Sequence, residues 1–155
     1  MCYNKNKKGG SAMLERNALQ GYRENTCLEA KAALGGLPES IWETYSAFAN
    51  AQGGVILLGV EELPDKSLQP RDLLDPQWLI EDFWAILRDP ERVSVNILRE
   101  DQVRIHQVEG NRIIAITVPP APEELRPVSV FVDGRWQAFC RRGEGDYRIA
   151  REEDK

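Results

Sequence analysis

Glu24, Glu29 and Lys31 fall close together, and Glu61 follows a continuous apolar run some thirty residues later. Carboxylates so spaced could hold a divalent cation and an attacking water for phosphodiester cleavage, provided that their two strands lie side by side. Glu29 and Lys31, two residues apart, share one face of a strand. The plain alternative is a solvated face or an i,i+2 ion pair of little worth, since three carboxylates can always be chosen from 25 acidic residues. Spacing alone favours the solvated face.

A second set lies towards the C-terminus. Arg135, Arg141, Arg142, Arg148 and Arg151 put five arginines in 17 residues against Glu144 and Asp146, with Trp136, Phe139 and Tyr147 interleaved. Guanidinium groups pair phosphates and aromatic rings stack bases, so the segment has the composition of a nucleic-acid contact. It has equally that of an exposed edge hairpin guarded by charge. A third set is the loop Asn50-Ala51-Gln52-Gly53-Gly54, where glycines would let backbone N–H groups approach a phosphate. This loop follows a helix C-terminus, the negative end of the dipole, so a glycine helix cap is the favoured reading. Neither G-x-x-x-x-G-K-[ST] nor G-x-G-x-x-G occurs, and no cofactor is expected.

The remaining reactive residues point to no chemistry. Cys2, Cys27 and Cys140 are odd in number and lack metal-ligand spacing, which argues for reduced thiols, with a divalent metal expected only under the cleavage reading. His106 sits within the strand-like alternation of Val103, Ile105 and Gln107 and has no second histidine to pair with. Trp42, Trp78 and Trp84 lie on or beside helix faces as core or interface residues. Net charge is −5, and removing Lys5, Lys7 and Lys8 of the first ten residues leaves −8 on the rest. That field opposes nucleic acid unless a basic patch dominates locally, because charges beyond about 10 Å are screened. No run approaches the roughly 20 apolar residues of a membrane span, and the N-terminus lacks a signal peptide's apolar core, so a cytoplasmic location is expected.

These groups need a scaffold, and the pattern predicts one domain over residues 12–155 after a flexible leader over residues 1–11. Helical spacing of Met13, Leu14, Ala18 and Leu19 predicts a short helix over Ala12–Gln20. Alternation predicts a strand over Thr26–Leu34, and Pro38-Glu39-Ser40 opens a helix running to about Ala51. Val55–Val60, apolar and β-branched, predicts a strand buried on both faces. Pro64–Pro70 reads as a loop. Asp75-Pro76 caps a second long helix with Leu79, Ile80, Phe83, Ile86 and Leu87 on one face, stopped by Asp89-Pro90. Val93–Leu98, Gln102–Val108 and Arg112–Val118 predict an antiparallel meander, and Val128–Val132 with Arg135–Arg141 a hairpin turning at Asp133-Gly134. The expected class is α+β, a mixed, largely antiparallel sheet with two long helices packed on it.

Four segments resemble the Schlafen AlbA-like domain, also called a divergent AAA region. Glu24-Asn25-Thr26-Cys27-Leu28-Glu29-Ala30-Lys31 is similar to that family's E-x-x-x-x-E-[FA]-K opening. Ala47-Phe48-Ala49-Asn50-Ala51-Gln52-Gly53-Gly54, with the strand to Gly59-Val60, resembles its A-F-A-N-x-x-G-G signature. Ile113–Pro120 resembles the strand that ends in a proline pair, and Val130–Gly143 the closing hairpin with [YF]-x-R-x-G. The resemblance implies a non-catalytic nucleic-acid-binding domain, with DNA as partner, forming the N-terminal part of a longer bacterial transcription regulator. Its contacts would come from Arg135, Arg141, Arg142 and Arg148 with Asn50, Gly53 and Gly54. Ranked second is a metal-dependent RNA endonuclease using Glu24, Glu29 and Glu61 or Glu62, with Lys31 beside them. Ala30 stands where a bulky aromatic is commoner, and glutamate where aspartate often follows the strand. A third expectation is a homodimeric assembly domain pairing through the exposed hairpin.

Overall fold

The computed structural model describes residues 11–14, 27–143 and 145–149. Strands β1 (Ser11–Leu14), β2 (Leu28–Lys31), β3 (Gly54–Leu58), β6 (Val103–Val108) and β7 (Asn111–Val118) form a five-stranded sheet in the order β1-β6-β7-β3-β2. Its centre is antiparallel, and each outer pair, β1 with β6 and β2 with β3, is parallel. The apolar run of β3 is explained by burial on both faces: Ile56 and Leu58 enter the main core, whereas Val55 and Leu57 enter a smaller one with Ile113 and Ala115 of β7. Two further strands, β4 (Val60–Glu62) and β5 (Leu68–Pro70), pair with each other, and their Val60 and Leu68 help to cover that second face.

Helix α1 (Ile41–Ala49) lies between this sheet and a second one, of order β10-β9-β8, formed by β8 (Ser129–Val132), β9 (Arg135–Arg142) and β10 (Gly145–Arg148). A helix with neighbours on both sides must be apolar nearly all round, and every α1 residue except Glu43 is buried. Helix α2 (Pro76–Leu87) turns Leu79, Phe83 and Leu87 inward and stacks Phe83 on Trp42 of α1 at 5.2 Å. Its N-cap is the predicted one, the Asp75 carboxylate accepting the Trp78 amide at 3.0 Å. The α+β class and the mixed, mostly antiparallel sheet are thus as expected.

Four local expectations are corrected. Ser11–Leu14 is a strand parallel to β6, not the start of a helix, because pairing along β6 satisfies a backbone too short to declare its own period. Residues 1–10 of the expected leader and 15–20 of that helix lie outside the described residues. Val93–Leu98 forms no strand beyond one bridge from Val93 to Val130. The apolar run from Val55 ends at Leu58, with Val60 opening β4, and the loop Pro64–Pro70 contains β5. The hairpin turn is as predicted: Asp133 and Gly134 both take positive φ, 53° and 77°, which matches the twist of two-residue connections.

Candidate nucleic-acid interface

The end of α1 ties the two sheets together. Beyond the pair Ser129–Ala138, the register of β8 with β9 would place Val128 opposite Phe139, but the rungs there come from helix side chains. The Asn50 Oδ1 accepts the Val128 amide at 2.8 Å, and its Nδ2 donates to the Val128 and Phe139 carbonyls at 3.0 and 2.8 Å. Ser46 Oγ accepts the Phe139 amide at 2.9 Å and donates to the Val128 carbonyl at 2.8 Å. One turn of helix is therefore wedged between two strands as a hydrogen-bonded spacer.

The glycines after it are tight for the same reason. Gly53 sits at φ +81°, and a Cβ there would lie 2.7 Å from the Val118 carbonyl and 2.9 Å from Pro120 Cδ. At Gly54 a Cβ would meet the Phe48 ring at 2.7 Å. Asn50, Gly53 and Gly54, expected as ligand contacts, are buried against protein, where they hold the hairpin.

Arg141 is engaged within the protein as well. Its side chain is only 5% exposed, with Nη1 on Glu29 at 3.0 Å and Asp146 at 2.8 Å and Nη2 on the Leu28 carbonyl at 3.2 Å, while the guanidinium lies over the Phe48 ring. Burial works to lower its pKa, but the hydrogen bonds it donates to Asp146 and Glu29 prevail and hold it above the ordinary arginine value. Thr44 Oγ1 donates to the other Asp146 oxygen at 3.2 Å, and Lys31 Nζ reaches Ser40 Oγ at 3.0 Å and Glu29 at 3.8 Å. This polar network locks β2, α1, β9 and β10 to one another.

Of the residues picked for cleavage chemistry, Glu29 and Lys31 are brought together within that network. Glu61 lies on β4 and pairs with Arg71 at 2.7 Å, Glu62 is exposed beside it, and Glu24 lies outside the described residues. Among the described residues no three histidine, cysteine, aspartate or glutamate side chains gather as a metal cage. The part played by Thr44 and Asp146 escaped the sequence reading because nothing in a linear chain marks the approach of two residues 102 positions apart.

The outer face of the β8–β9–β10 sheet carries the exposed groups. By alternation Phe131 on β8, Trp136, Cys140 and Arg142 on β9, and Tyr147 on β10 share it, Tyr147 pairing directly with Cys140. Trp136, 36% exposed, makes an edge contact with Phe131 at 5.7 Å; Tyr147 is 53% exposed and lies beneath the Arg142 guanidinium at 5.7 Å. Phe139 points inward instead. Arg135 and Arg148 are exposed on the same two strands, whereas Arg151 lies outside the described residues. Arg126 borders the face, because its Nη1 and the Cys140 thiol approach the same Asn50 carbonyl, at 3.4 and 3.6 Å. Two clefts of about 480 Å³, one beside Trp84 and Arg88 and one beside Leu34 and Trp78, include none of these groups.

A mixed sheet, a helix wedged beneath a hairpin sheet, and a helix end built on Ala-Phe-Ala-Asn and paired glycines define one class of α+β domain. The chain belongs to the Schlafen, AlbA_2 family, whose model matches residues 24–150. Its fold is similar to that of the N-terminal domain of an ATP-dependent DNA helicase RecG-related protein, so named, from Nitrosomonas europaea. The two are 26% identical, with a TM-score of 0.59, over 90% of this chain and 93% of that one. The DIP2311 protein from Corynebacterium diphtheriae shares the fold at 22% identity and a TM-score of 0.50, over 90% of this chain and 25% of that one. No protein of curated function matches the chain significantly. No helix among the described residues is long and apolar enough to cross a membrane.

Proposed function

We propose that the chain is a non-catalytic nucleic-acid-binding domain, of the kind that holds a transcription regulator on DNA. The observation that carries this reading is the outer face of the hairpin sheet, where Arg142 and two exposed rings share one side with no carboxylate on it among the described residues. Asp146 is turned inward onto Arg141, and Asp133 is confined to the turn. In a chain that is otherwise acidic, such a face is the place where phosphates meet a favourable field. Family membership and the likeness to the N-terminal domain of a RecG-related protein support the same reading. Arg142 and Arg126 serve as phosphate contacts on this face, while Arg141, Asn50, Gly53 and Gly54 keep their strands in place. Arg135 and Arg148, which pair with Val132 and Phe139 and so alternate to the other side of their strands, add exposed charge at its ends. Cleavage stands second because Glu29 already answers the charge of Arg141.

Anisotropy of labelled DNA titrated with the protein over a salt series tests this. Affinity should fall linearly on logarithmic axes, and Arg142→Ala should flatten the slope by roughly 0.7–0.9, one phosphate's worth. Probes should stay intact with magnesium or manganese present. Absence of binding at low salt, or a slope that Arg142→Ala leaves unchanged, would refute the assignment.

A further inference from the structure

Resting on that reading, we infer that the outer face of the hairpin sheet takes single-stranded nucleic acid, with bases laid on Tyr147 and Trp136 and the backbone tracked by Arg142 and Arg126. Stacking needs a ring with an open face, and Trp136 and Tyr147 are exposed large aromatics on this sheet. In a duplex the base faces are covered by their neighbours, and a side chain gains access only by unstacking them. A bare strand presents its bases freely, and base–aromatic stacking is indifferent to sequence.

The rings are also held ready. The Tyr147 ring packs one side against Gly145, where even a Cβ would come within 3.2 Å, and its other side is reached by a base once Arg142, 5.7 Å from the ring centroid, swings to the backbone it tracks. Trp136 is braced by the edge contact with Phe131. Little side-chain freedom is left to lose on binding. The charge is complementary as well: Arg142 stands over Tyr147, Arg126 shares the Asn50 carbonyl with the Cys140 thiol while donating to the Ala121 and Ala51 carbonyls, and Asp146 turns inward onto Arg141.

Spacing sets a length requirement. Trp136 lies four residues from Cys140 along β9, and Tyr147 faces Cys140 across one strand spacing, so the Cα positions that carry the rings stand about 14 Å apart at 3.3 Å per residue and 4.8 Å between strands. A strand with stacked bases covers that distance in about four steps of 3.4 Å.

The test compares thymidylate and uridylate oligomers of three, six and twelve nucleotides with a duplex of twelve pairs, using the whole chain at one low salt concentration. Expected are tighter binding to single strands than to duplex, a steep gain from three to six nucleotides, and a much smaller gain thereafter. Tyr147→Leu and Trp136→Leu should each weaken single-strand binding roughly 5- to 150-fold, whereas Tyr147→Phe, which keeps the ring, should retain it. Thermal melts of all variants report whether the fold is kept. Tighter binding by the thymidylate or by the uridylate series identifies the source of the strand. Should duplex bind as tightly as single strand, or Tyr147→Leu bind as well as the parent, the single-strand assignment falls while loss in Arg142→Ala still upholds the broader reading. An acidic peptide of equal charge that competes equally well would show recognition of charge without bases, and no binding to any nucleic acid would end both proposals.

Discussion

Asn50 shows how much one side chain settles. Its carboxamide donates to two carbonyls and accepts one amide, all buried, and no other residue of that length offers both functions. Asn50→Ala should destabilise the fold by about 3 kcal/mol or more, since each buried group left without a partner costs about 1–3 kcal/mol. Asn50→Asp should not rescue it, because a carboxylate cannot donate to the Val128 and Phe139 carbonyls; denaturant melts of the three proteins decide this. The sequence displays Asn50 and its glycines as a motif but not the direction they face. Arg141 and Arg142 are adjacent and alike on paper, yet one is sealed against Glu29 and Asp146 and the other lies on the surface. Strand alternation separates them only once the register of β9 is known.

At the scale of elements, strands with a marked apolar pattern of their own were legible, whereas the short β1, β5 and β10 were not. The β6–β7 hairpin follows from alternation about Glu109-Gly110, and α2 from its apolar spacing and its Asp75 cap. Val93–Leu98 alternates equally well but finds no strand beside it. There the Tyr45 hydroxyl donates to the Val95 carbonyl at 2.7 Å and accepts the Ile97 amide at 3.2 Å, so a helix side chain substitutes for a ladder. Tyr45→Phe should therefore cost about 1–3 kcal/mol, read by thermal or denaturant melting. Burial pushes the Tyr45 pKa up to about 12, with the hydrogen bond from Ile97 opposing. A phenol whose folded pKa is raised stabilises the fold below its ordinary pKa and loses that contribution as pH rises through the folded value. The gap in Tm between the parent and Tyr45→Phe should accordingly narrow between pH 10 and about 12.

Over the whole molecule, acidity has its cost in one identifiable place. Glu43, the one residue of α1 not buried, has its pKa raised, first by desolvation and then by the carboxylates of Asp133, Asp146 and Glu39, with Lys31 opposing. Its folded pKa lies above the unfolded value, so it favours folding fully below the ordinary carboxylate range, and this contribution is lost as pH rises through the folded value. Glu43→Gln should raise Tm at neutral pH, and the gain should vanish as pH drops below about 4.5 in a series of melts. Asp72, held below the usual carboxylate range by hydrogen bonds from Arg112, acts in the opposite sense, its contribution disappearing as pH falls. The wedge of α1 between β8 and β9 also gives the molecule an order of assembly. On a ribosome the chain emerges from its N-terminus, so Asn50 is made 78 residues before the Val128 amide it receives. The closing hairpin is thus completed on a template already synthesised, and a fragment carrying only β8 to β10 would lack the two side chains that bridge its strands.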